Sequence, residues 1–422
     1  MKIAILCVGS TGDVRPCVVL SQGLIKRNHS VTIIADERFR DSVTSCGAEF
    51  AAFPGNVDEY MDIVTNPENA WYELLSKMRE YIAKLNPEIE KVLLENFEGK
   101  DLILYSAPSS SMAVYIAEKF KIPYARIGYF PDMKCSDFTQ YVFPKLPLPG
   151  PMKRHYNRTT LDISYYNAAN MYKKALGNWF KKHDLPKTKY FYNRSDGKVM
   201  DQIMAYSNVI MPRPKEYGDN VHICGYFFED KDNLDYTPDS GLLEFINAGP
   251  APVYLGFGSM SSGSFDELRS IIVEALKISG KRAIISKGWG GFSEENLPDN
   301  IYMVGYCPHD WLFEQVSAVV HHGGAGTTAA ALRAGKPALI VPFGGDQQFW
   351  GERIYSMGCG PKFITRKKLN AQNLANALLE MDSPEMQQKA REVAEMLSKE
   401  NGVETACDCI EKIAAEGWIN NL

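Results

Sequence analysis

Short runs of apolar, β-branched residues alternate with helix-forming segments twice along this chain, once in each half. The first such run, Lys2 to Val8, ends in a Gly-rich loop, and helical spacing follows from Pro16 to Arg27. The same order returns between Val253 and Val341. Strands that alternate with helices pair in parallel, because each helix carries the chain back across the sheet. The pattern therefore predicts an α/β protein with two doubly wound, Rossmann-like domains.

Two stretches interrupt this alternation. Residues 133–206 are rich in Pro, Lys and aromatic residues and contain one predicted long helix, Leu161 to Lys182. A stretch rich in Pro, Gly and Asp follows, and it is typical of a linker. Ligands bind at the carboxyl edges of parallel sheets, so we expect the loops there to face one cleft. The predicted parts are a first domain over 1–211, a linker over 212–252, a second domain over 253–402 and a final helix within 403–422.

The composition excludes several classes of protein. The 422 residues include 46 basic and 51 acidic ones, a balance of −5 that lacks the basic surface of a nucleic-acid-binding protein. Nine scattered cysteines without C-x-x-C spacing favour reduced thiols and argue against zinc. The apolar start is too short for a signal peptide, and no run reaches the roughly 18 apolar residues of a membrane span. We therefore predict a cytoplasmic protein without a nucleic-acid partner.

The loop after the first predicted strand, Gly9-Ser10-Thr11-Gly12-Asp13, begins the first predicted helix. A dinucleotide-binding loop needs a third glycine and an acid about 20 residues further on. Asp36 lies near the place of that acid, so a dehydrogenase remains an alternative, whereas a P-loop is excluded because no Gly-Lys-Ser/Thr follows. Asp13 either caps the helix or faces the cleft as a general base.

A second loop, His321-His322-Gly323-Gly324-Ala325-Gly326-Thr327-Thr328, follows an apolar strand and begins an Ala-rich helix. Glycines let a bulky anion approach the backbone, and a helix N-terminus offers unpaired N–H groups and about half a positive charge. The pattern predicts a diphosphate-binding loop. Each of the two histidines either donates to a phosphate oxygen or is a hydrogen-bonded buried imidazole.

A third loop, Pro342-Phe343-Gly344-Gly345-Asp346-Gln347-Gln348, follows the next predicted strand. Asp346 and Gln347 either cap the next helix or offer a carboxylate and an amide to the vicinal hydroxyls of a sugar. One strand-helix-strand step separates this loop from the second. We therefore expect both loops to contact one ligand.

Several motifs, ordered correctly over most of the chain, resemble those of family 1 glycosyltransferases. The stretch Gly305 to Gly360 resembles their nucleotide-sugar signature. The sterol 3-beta-glucosyltransferase branch is the most similar, followed by bacterial antibiotic glycosyltransferases. The motifs are the three loops above, with Val14-Arg15-Pro16 completing the first, Gly256-Phe257-Gly258-Ser259-Met260, Gly288-Trp289-Gly290-Gly291, Pro308-His309-Asp310-Trp311-Leu312-Phe313 and Leu332-Arg333-Ala334-Gly335.

This resemblance implies a GT-B fold, in which the first domain binds the acceptor, the second binds a UDP-sugar, and the final helix returns to the first domain. It implies inverting transfer of a sugar, glucose being expected, to a hydroxyl of an apolar acceptor such as a sterol or a polycyclic aglycone, without metal or cofactor. Asp13 is then the catalytic base, at a position where plant relatives have a His. The residues expected to bind the donor are Ser10, Ser259, Trp289, Cys307, His321, Gly324, Gly326, Thr327, Thr328, Asp346 and Gln347.

The chain departs from plant members of this family at two positions. Tyr306 stands where they have a stacking Trp, and Ala329 stands where they have a ribose-binding Glu. We therefore expect different contacts to the base and the ribose, with Trp289 as a candidate for one of them. Two other functions remain as alternatives: a nucleotide-sugar epimerase on the same fold, and a non-catalytic sensor of sugar nucleotides or lipids. An apolar acceptor is also compatible with peripheral membrane contact.

Overall fold

A computed structural model of the chain divides it into two compact units. The first unit comprises Met1–Phe228 and Asn401–Leu422, and the second comprises Glu229–Glu400. The structure describes residues 1–65, 71–106, 110–177, 179–183, 194–229, 236–257, 265–287 and 297–419.

The first unit is built on a seven-stranded, wholly parallel sheet with the strand order β3-β2-β1-β4-β5-β6-β7. Its strands are β1 (Lys2–Leu6), β2 (Ser30–Ala35), β3 (Glu49–Ala52), β4 (Leu102–Ser106), β5 (Tyr124–Gly128), β6 (Asp201–Met204) and β7 (Val221–Ile223). Its helices are α1 (Thr11–Lys26), α2 (Arg40–Ser45), α3 (Val57–Thr65), α4 (Trp71–Phe97), α5 (Ser110–Phe120), α6 (Gly150–Ala175), α7 (Trp179–Lys182) and α15 (Gly402–Glu416).

The second unit is built on a five-stranded parallel sheet with the order β10-β9-β8-β11-β12. Its strands are β8 (Val253–Gly256), β9 (Ala283–Ser286), β10 (Ile301–Val304), β11 (Ala318–His321) and β12 (Ala338–Ile340). Its helices are α8 (Ser240–Asn247), α9 (Phe265–Ser279), α10 (His309–Gln315), α11 (Ala325–Arg333), α12 (Gln347–Ser356), α13 (Ala371–Glu380) and α14 (Pro384–Leu397).

Both sheets are buried on their two faces, as continuous apolar strands require. In β1, successive side chains belong to different cores: Ile3 and Ile5 pack in one cluster, and Ala4 and Leu6 in the other. This alternation follows from the two-residue repeat of a strand. The prediction of two doubly wound parallel domains is confirmed.

The structure differs from the sequence prediction in the two stretches that interrupt the alternation. The predicted linker, 212–252, contains β7, an edge strand of the first sheet, and α8. The predicted helix over 161–182 begins earlier, at Gly150, and ends at Ala175, with a separate short helix, α7, after it. Proline in the first turn explains the early start, because its fixed φ suits that position, and Gly177 has a positive φ of 50° beyond the end.

The C-terminal helix α15 packs against α1 within the first unit. Arg27 at the end of α1 forms ion pairs with Glu404, with Asp408 at 2.6 Å and with Glu411 at 3.1 Å. Gly23 lies at a close contact of the two helices, because a Cβ atom there would be 2.4 Å from Cγ1 of Val403. The absence of a side chain at residue 23 therefore allows α15 to reach α1.

Gly23→Ala should destabilise the first unit. Overpacking of this kind costs about 1–3 kcal/mol, and the better helix propensity of alanine recovers at most about 1 kcal/mol. We expect a lower urea midpoint for Gly23→Ala. The double variant Gly23→Ala/Val403→Ala should recover part of the loss, because it removes the side chain that the new methyl group meets. If the double variant lost as much stability as the two single variants together, that result would contradict the helix contact described here.

Candidate functional site

The loop after β1 holds Asp13 by its carboxylate. Oδ2 of Asp13 accepts hydrogen bonds from the backbone N–H of Ser10, at 2.8 Å, and from the Ser10 hydroxyl, at 3.1 Å. Ser10 is the N-cap of α1 and Asp13 is its third residue, so the pair forms a capping box. The backbone carbonyl of Asp13 accepts from the Tyr129 hydroxyl at 2.7 Å. Asp13 is thus a cap in this structure, and its role as a base stays a prediction.

Position 9, beside this carboxylate, has room only for glycine. Its φ is +138°, in the region that favours glycine, and a Cβ atom there would lie 2.3 Å from Oδ2 of Asp13. The half-buried Asp13 is therefore fixed at the carboxyl edge of the first sheet. The Ser10 hydroxyl points to Asp13, and a contact of Ser10 with the donor stays a prediction.

The loop after β11 presents the open end of α11. Gly324 is the N-cap, and the N–H of Thr328 donates to its carbonyl at 2.9 Å, which is the first bond inside the helix. The donors of the first turn are therefore the N–H groups of Ala325, Gly326 and Thr327, which precede that bond. Ala325 was missed by the sequence analysis, and the amide of Thr328 is already used within the helix.

The space in front of this turn is open. A Cβ atom built on Gly326 would meet no described atom within 4 Å, and Gly326 itself is exposed. A helix N-terminus with unpaired donors and room for a bulky group has the features of an anion-binding site. The open first turn leaves room for the predicted diphosphate, and binding of a diphosphate here stays a prediction.

The two histidines before this turn occupy different environments. His321 ends β11 and is 0% exposed, and its Nδ1 accepts the N–H of Gly323 at 3.1 Å. The neutral ring therefore carries its proton on Nε2, an atom without a hydrogen-bond partner among the described residues. His322 is half-buried, and its Nε2 lies 2.6 Å from where a Cβ of Gly324 would stand. His322 is thus the more exposed of the two histidines, and a contact of His321 with the donor stays a prediction.

Burial keeps both rings neutral. It lowers the pKa of His322 to about 4, and together with His322 and His309 it holds the pKa of His321 well below its usual value. Thr328 Oγ1 and His322 Nδ1 are, like Nε2 of His321, buried atoms without a described partner. All three atoms belong to residues 321–328, the predicted diphosphate-binding segment.

The loop after β12 is organised by Gln347. Oε1 of Gln347 accepts from the backbone N–H of Phe343, at 2.7 Å, and of Gly344, at 3.1 Å. Asp346 is the N-cap of α12, and one of its oxygens, Oδ2, accepts from the indole N–H of Trp350 at 2.7 Å. Burial raises the pKa of the Asp346 carboxyl, which the Trp350 bond opposes. The Gln347 amide NH2 group takes no part in these bonds.

Of the remaining predicted donor residues, Cys307 lies within the described ranges. Cys307, after β10, is half-buried, and burial raises the pKa of its thiol. Its neighbour Tyr306 is 83% exposed, so its ring is available to a planar ligand. Ser259 and Trp289 lie outside the described residues. Tyr129 and Trp350 were not predicted from the sequence, although the four-residue spacing of Trp350 from Asp346 on a helix was a usable signal.

The described ranges contain no arrangement typical of a metal centre or of a membrane span. Within them, no group of three or more His, Cys, Asp or Glu residues is arranged to hold a metal ion. No helix in the same ranges is both long and apolar enough to cross a bilayer.

Comparison with known proteins identifies the class. The model of the glycosyltransferase family 28 N-terminal domain matches residues 3–134, and that of the erythromycin biosynthesis protein CIII-like C-terminal domain matches residues 290–412. The glycotransferase of kitacinnamycin aligns with a TM-score of 0.72 at 18% identity, covering 98% of both chains. The calicheamicin glycosyltransferase CalG4 aligns with a TM-score of 0.70 at 17% identity, again over 98% of both. The fold is that of the GT-B glycosyltransferases.

Sequence relatives define the family within that class. The chain is 34% identical to the sterol 3-beta-glucosyltransferase UGT80B1 of Arabidopsis thaliana, over 98% of this chain and 68% of the relative. It is 35% identical to the sterol 3-beta-glucosyltransferase of Saccharomyces cerevisiae, over 97% of this chain but only 35% of that relative. The chain belongs to the glycosyltransferase family that includes the sterol 3-beta-glucosyltransferases. The family resemblance found in the sequence is confirmed, and the epimerase and sensor alternatives gain no support.

Proposed function

We propose that this protein transfers glucose from UDP-glucose to a hydroxyl group of an apolar acceptor such as a sterol, with inversion at the anomeric carbon. The main structural support for the proposal is the open first turn of α11 in front of Gly326, at the carboxyl end of β11. The names of the plant and fungal relatives support glucose and a sterol. The chain spans about a third of the length of the yeast relative, so donor and acceptor are proposals here.

The diphosphate of the donor would bind at the first turn of α11. Its negative charge would be stabilised by the helix dipole and by the N–H groups of Ala325, Gly326 and Thr327. The ring N–H of neutral His322 would add one hydrogen-bond donor. These groups matter most as the bond between sugar and diphosphate breaks, because the leaving UDP then gains charge. A structure of glycosyltransferase VinC with dTDP, at a TM-score of 0.65 and 17% identity, shares this fold.

The sugar would be held by the loop after β12. Asp346 has a second carboxylate oxygen beside the one bonded to Trp350, and the Gln347 amide NH2 can donate. An acceptor and a donor side by side match vicinal hydroxyls. Tyr306, exposed beside Cys307, is our candidate for contact with the uracil ring, while the backbone of Cys307 would meet its edge.

The acceptor hydroxyl would be deprotonated by Asp13. An acceptor bound at the carboxyl edge of the first sheet would meet this carboxylate, which Ser10 and Gly9 hold in place. A carboxylate is a weak base toward an alcohol, so its proton transfer must be late, when bond breaking has made the attacking oxygen acidic.

Activity should survive removal of divalent metal ions. Enzymes that bind a nucleotide diphosphate through Mg²⁺ supply carboxylates next to the phosphates, whereas residues 321–328 contain none and offer helix N–H groups and histidine instead. We expect initial rates in excess EDTA to equal those without it. Complete loss of activity that Mn²⁺ restores would contradict this donor site.

The proposal also includes contact with a membrane surface, because a sterol acceptor lies in a bilayer. Residues 138–161 contain Lys145, Lys153, Arg154 and Arg158 but no Asp or Glu, in a chain whose overall charge is −5. Four apolar side chains of this stretch are exposed: Tyr141, Val142, Leu146 and Met152. The stretch is fixed on α6, since the Tyr156 hydroxyl donates to the carbonyl of Pro144 at 2.8 Å. Exposed apolar residues next to basic residues are typical of protein surfaces that bind anionic membranes.

Charge reversal in this stretch should weaken vesicle binding. Each Lys or Arg near an anionic surface contributes about 1 kcal/mol, so Lys153→Glu/Arg154→Glu should lower affinity for vesicles containing phosphatidylserine by about 10- to 100-fold in co-sedimentation. Lys173→Glu/Lys174→Glu is the matched control, with the same charge change on the same helix about 30 Å away. Equal losses in the two variants would indicate general charge repulsion and contradict a defined surface.

A mass-spectrometric screen tests the proposed reaction. The purified protein would be incubated with a panel of lipidic alcohols, each with UDP-glucose, other UDP-sugars and dTDP-sugars. We expect a hexoside of a sterol or another polycyclic alcohol, formed with UDP-glucose. Release of an altered UDP-sugar without an acceptor would contradict the proposal.

A further inference from the structure

A tyrosine from another strand of the first sheet reaches the turn that carries Asp13. Tyr129 directly follows β5, and its hydroxyl donates a hydrogen bond to the backbone carbonyl of Asp13 at 2.7 Å. The two residues are 116 positions apart in the sequence. They meet because β4 pairs with both β1 and β5, which brings the carboxyl ends of these strands to one edge of the sheet. The family comparisons and the proposed reaction assign no role to Tyr129.

A second partner fixes the orientation of the Tyr129 hydroxyl. The sulfur of Cys17, on α1, lies 3.1 Å from the Tyr129 oxygen. Because the single phenol proton is directed to the Asp13 carbonyl, the thiol of Cys17 is the donor in this contact. Cys17 is wholly buried, and Tyr129 packs against the same core cluster. Burial also raises the pKa of Tyr129 well above its usual value, so the hydroxyl keeps the proton that it donates.

The helical turn that receives this bond lacks one of its own bonds. Pro16 lies in the second turn of α1 and has no N–H group, so the carbonyl of Gly12, four residues earlier, loses its helical partner. The next carbonyl along the helix is that of Asp13, to which Tyr129 donates. A hydrogen bond from outside the helix therefore supports the turn directly beside the position where proline has removed a bond.

The position of the Asp13 carboxylate depends on contacts of two kinds. Ser10 binds Oδ2 of Asp13 through its backbone N–H and its hydroxyl, and these bonds are local, because they join residues three apart. Tyr129 instead holds the backbone from which the carboxylate extends, and it ties that backbone to a different strand. A reacting group displaced by about 1 Å can lose about 10²-fold in rate. Support of the turn therefore bears on catalysis as well as on stability.

We propose that Tyr129 is a positioning residue for Asp13, whose hydroxyl fixes the backbone of this turn and thereby places the carboxylate to accept the proton of the acceptor. This inference rests on the proposed role of Asp13 as the base. Tyr129 acts through Asp13 and exchanges no proton with the acceptor. Its loss should lower kcat but leave the donor KM unchanged, because the loops proposed to bind the diphosphate and the sugar belong to the second unit.

Tyr129→Phe tests this role, because it removes the hydroxyl and keeps the ring. We expect kcat to fall about tenfold, with a donor KM within about twofold of that of the unmodified protein. Tyr124→Phe is the matched control: Tyr124 is a wholly buried residue of β5, and its hydroxyl donates to Oε1 of Glu118 at 2.7 Å. This control should lower the urea midpoint at least as much and leave kcat nearly unchanged. Equal losses of kcat in the two variants would overturn the proposal.

A double-mutant cycle with Asp13→Asn separates positioning of the base from any other effect of Tyr129. Without the carboxylate there is no base to place, so Tyr129→Phe should change the kcat of Asp13→Asn by less than about twofold. Timed product formation, measured by mass spectrometry, gives kcat for the slow variants. An undiminished loss in the Asp13→Asn background would overturn the proposal, as would a normal kcat for Tyr129→Phe alone. If Asp13→Asn itself kept its normal kcat, the proposed base would be wrong, and the role of Tyr129 with it.

Discussion

Asp13→Asn should lower kcat by about 10²- to 10⁴-fold and leave the stability of the protein nearly unchanged. The loss is that of a general base, and an asparagine carbonyl oxygen can accept the same two hydrogen bonds from Ser10 that the carboxylate accepts now. The helix cap is therefore preserved while the proton acceptor is removed. Initial rates at saturating donor and acceptor, together with a urea unfolding curve, measure the two effects separately.

Asp13→Ala is the comparison that separates catalysis from capping. It removes both functions, so we expect a similar loss of kcat and, in addition, about 1 kcal/mol less stability. If Asp13→Asn kept near-normal turnover while Asp13→Ala only unfolded more readily, Asp13 would be a cap alone. Another residue would then have to take the acceptor proton.

Filling the space in front of Gly326 should abolish tight donor binding. A side chain at this position meets no described atom, so Gly326→Ala and Gly326→Val should fold, and alanine is the better helix former. The same methyl groups would overlap a diphosphate bound at the first turn of α11. We expect the donor KM to rise about tenfold for alanine and about 100-fold for valine, since each 1.4 kcal/mol of overlap is a factor of ten.

His321→Ala and His322→Ala test the same loop in a second way, because the two histidines differ in burial. His322 lies at the surface of the loop and should affect the donor KM, whereas His321 is wholly buried and should affect stability first.

If Gly326→Val bound the donor normally, the diphosphate would have to lie elsewhere. The proposed orientation of the donor would then be wrong.

The sequence predicted those features that depend on local pattern. The order of residues alone shows the alternating strands and helices, the Gly-rich loop before Thr327 and the acid after β1. The structure places that loop at the carboxyl end of β11 and that acid at the carboxyl end of β1. Helix α4, Trp71–Phe97, was not predicted, because Pro87 interrupts its pattern even though the helix continues through it.

The finer features depend on burial and on register, which the sequence does not show. Two adjacent histidines look alike as donors, and only the core beneath β11 distinguishes the buried His321 from His322. The amide of Thr328 could have been excluded once Gly324 was known to be the N-cap, because the fourth residue after a cap makes the first helical bond. Tyr129 meets Asp13 only because β4 pairs with both β1 and β5.

Product analysis with UDP-glucose and a sterol tests the proposed glucosyl transfer. The purified protein would be incubated with both, and the product isolated for mass spectrometry and for proton NMR of its anomeric position. We expect a β-linked sterol glucoside together with stoichiometric UDP, formed by the unmodified protein and greatly slowed in Asp13→Asn. An α-linked product, or UDP-glucose consumed without any glycoside of the acceptor, would contradict it.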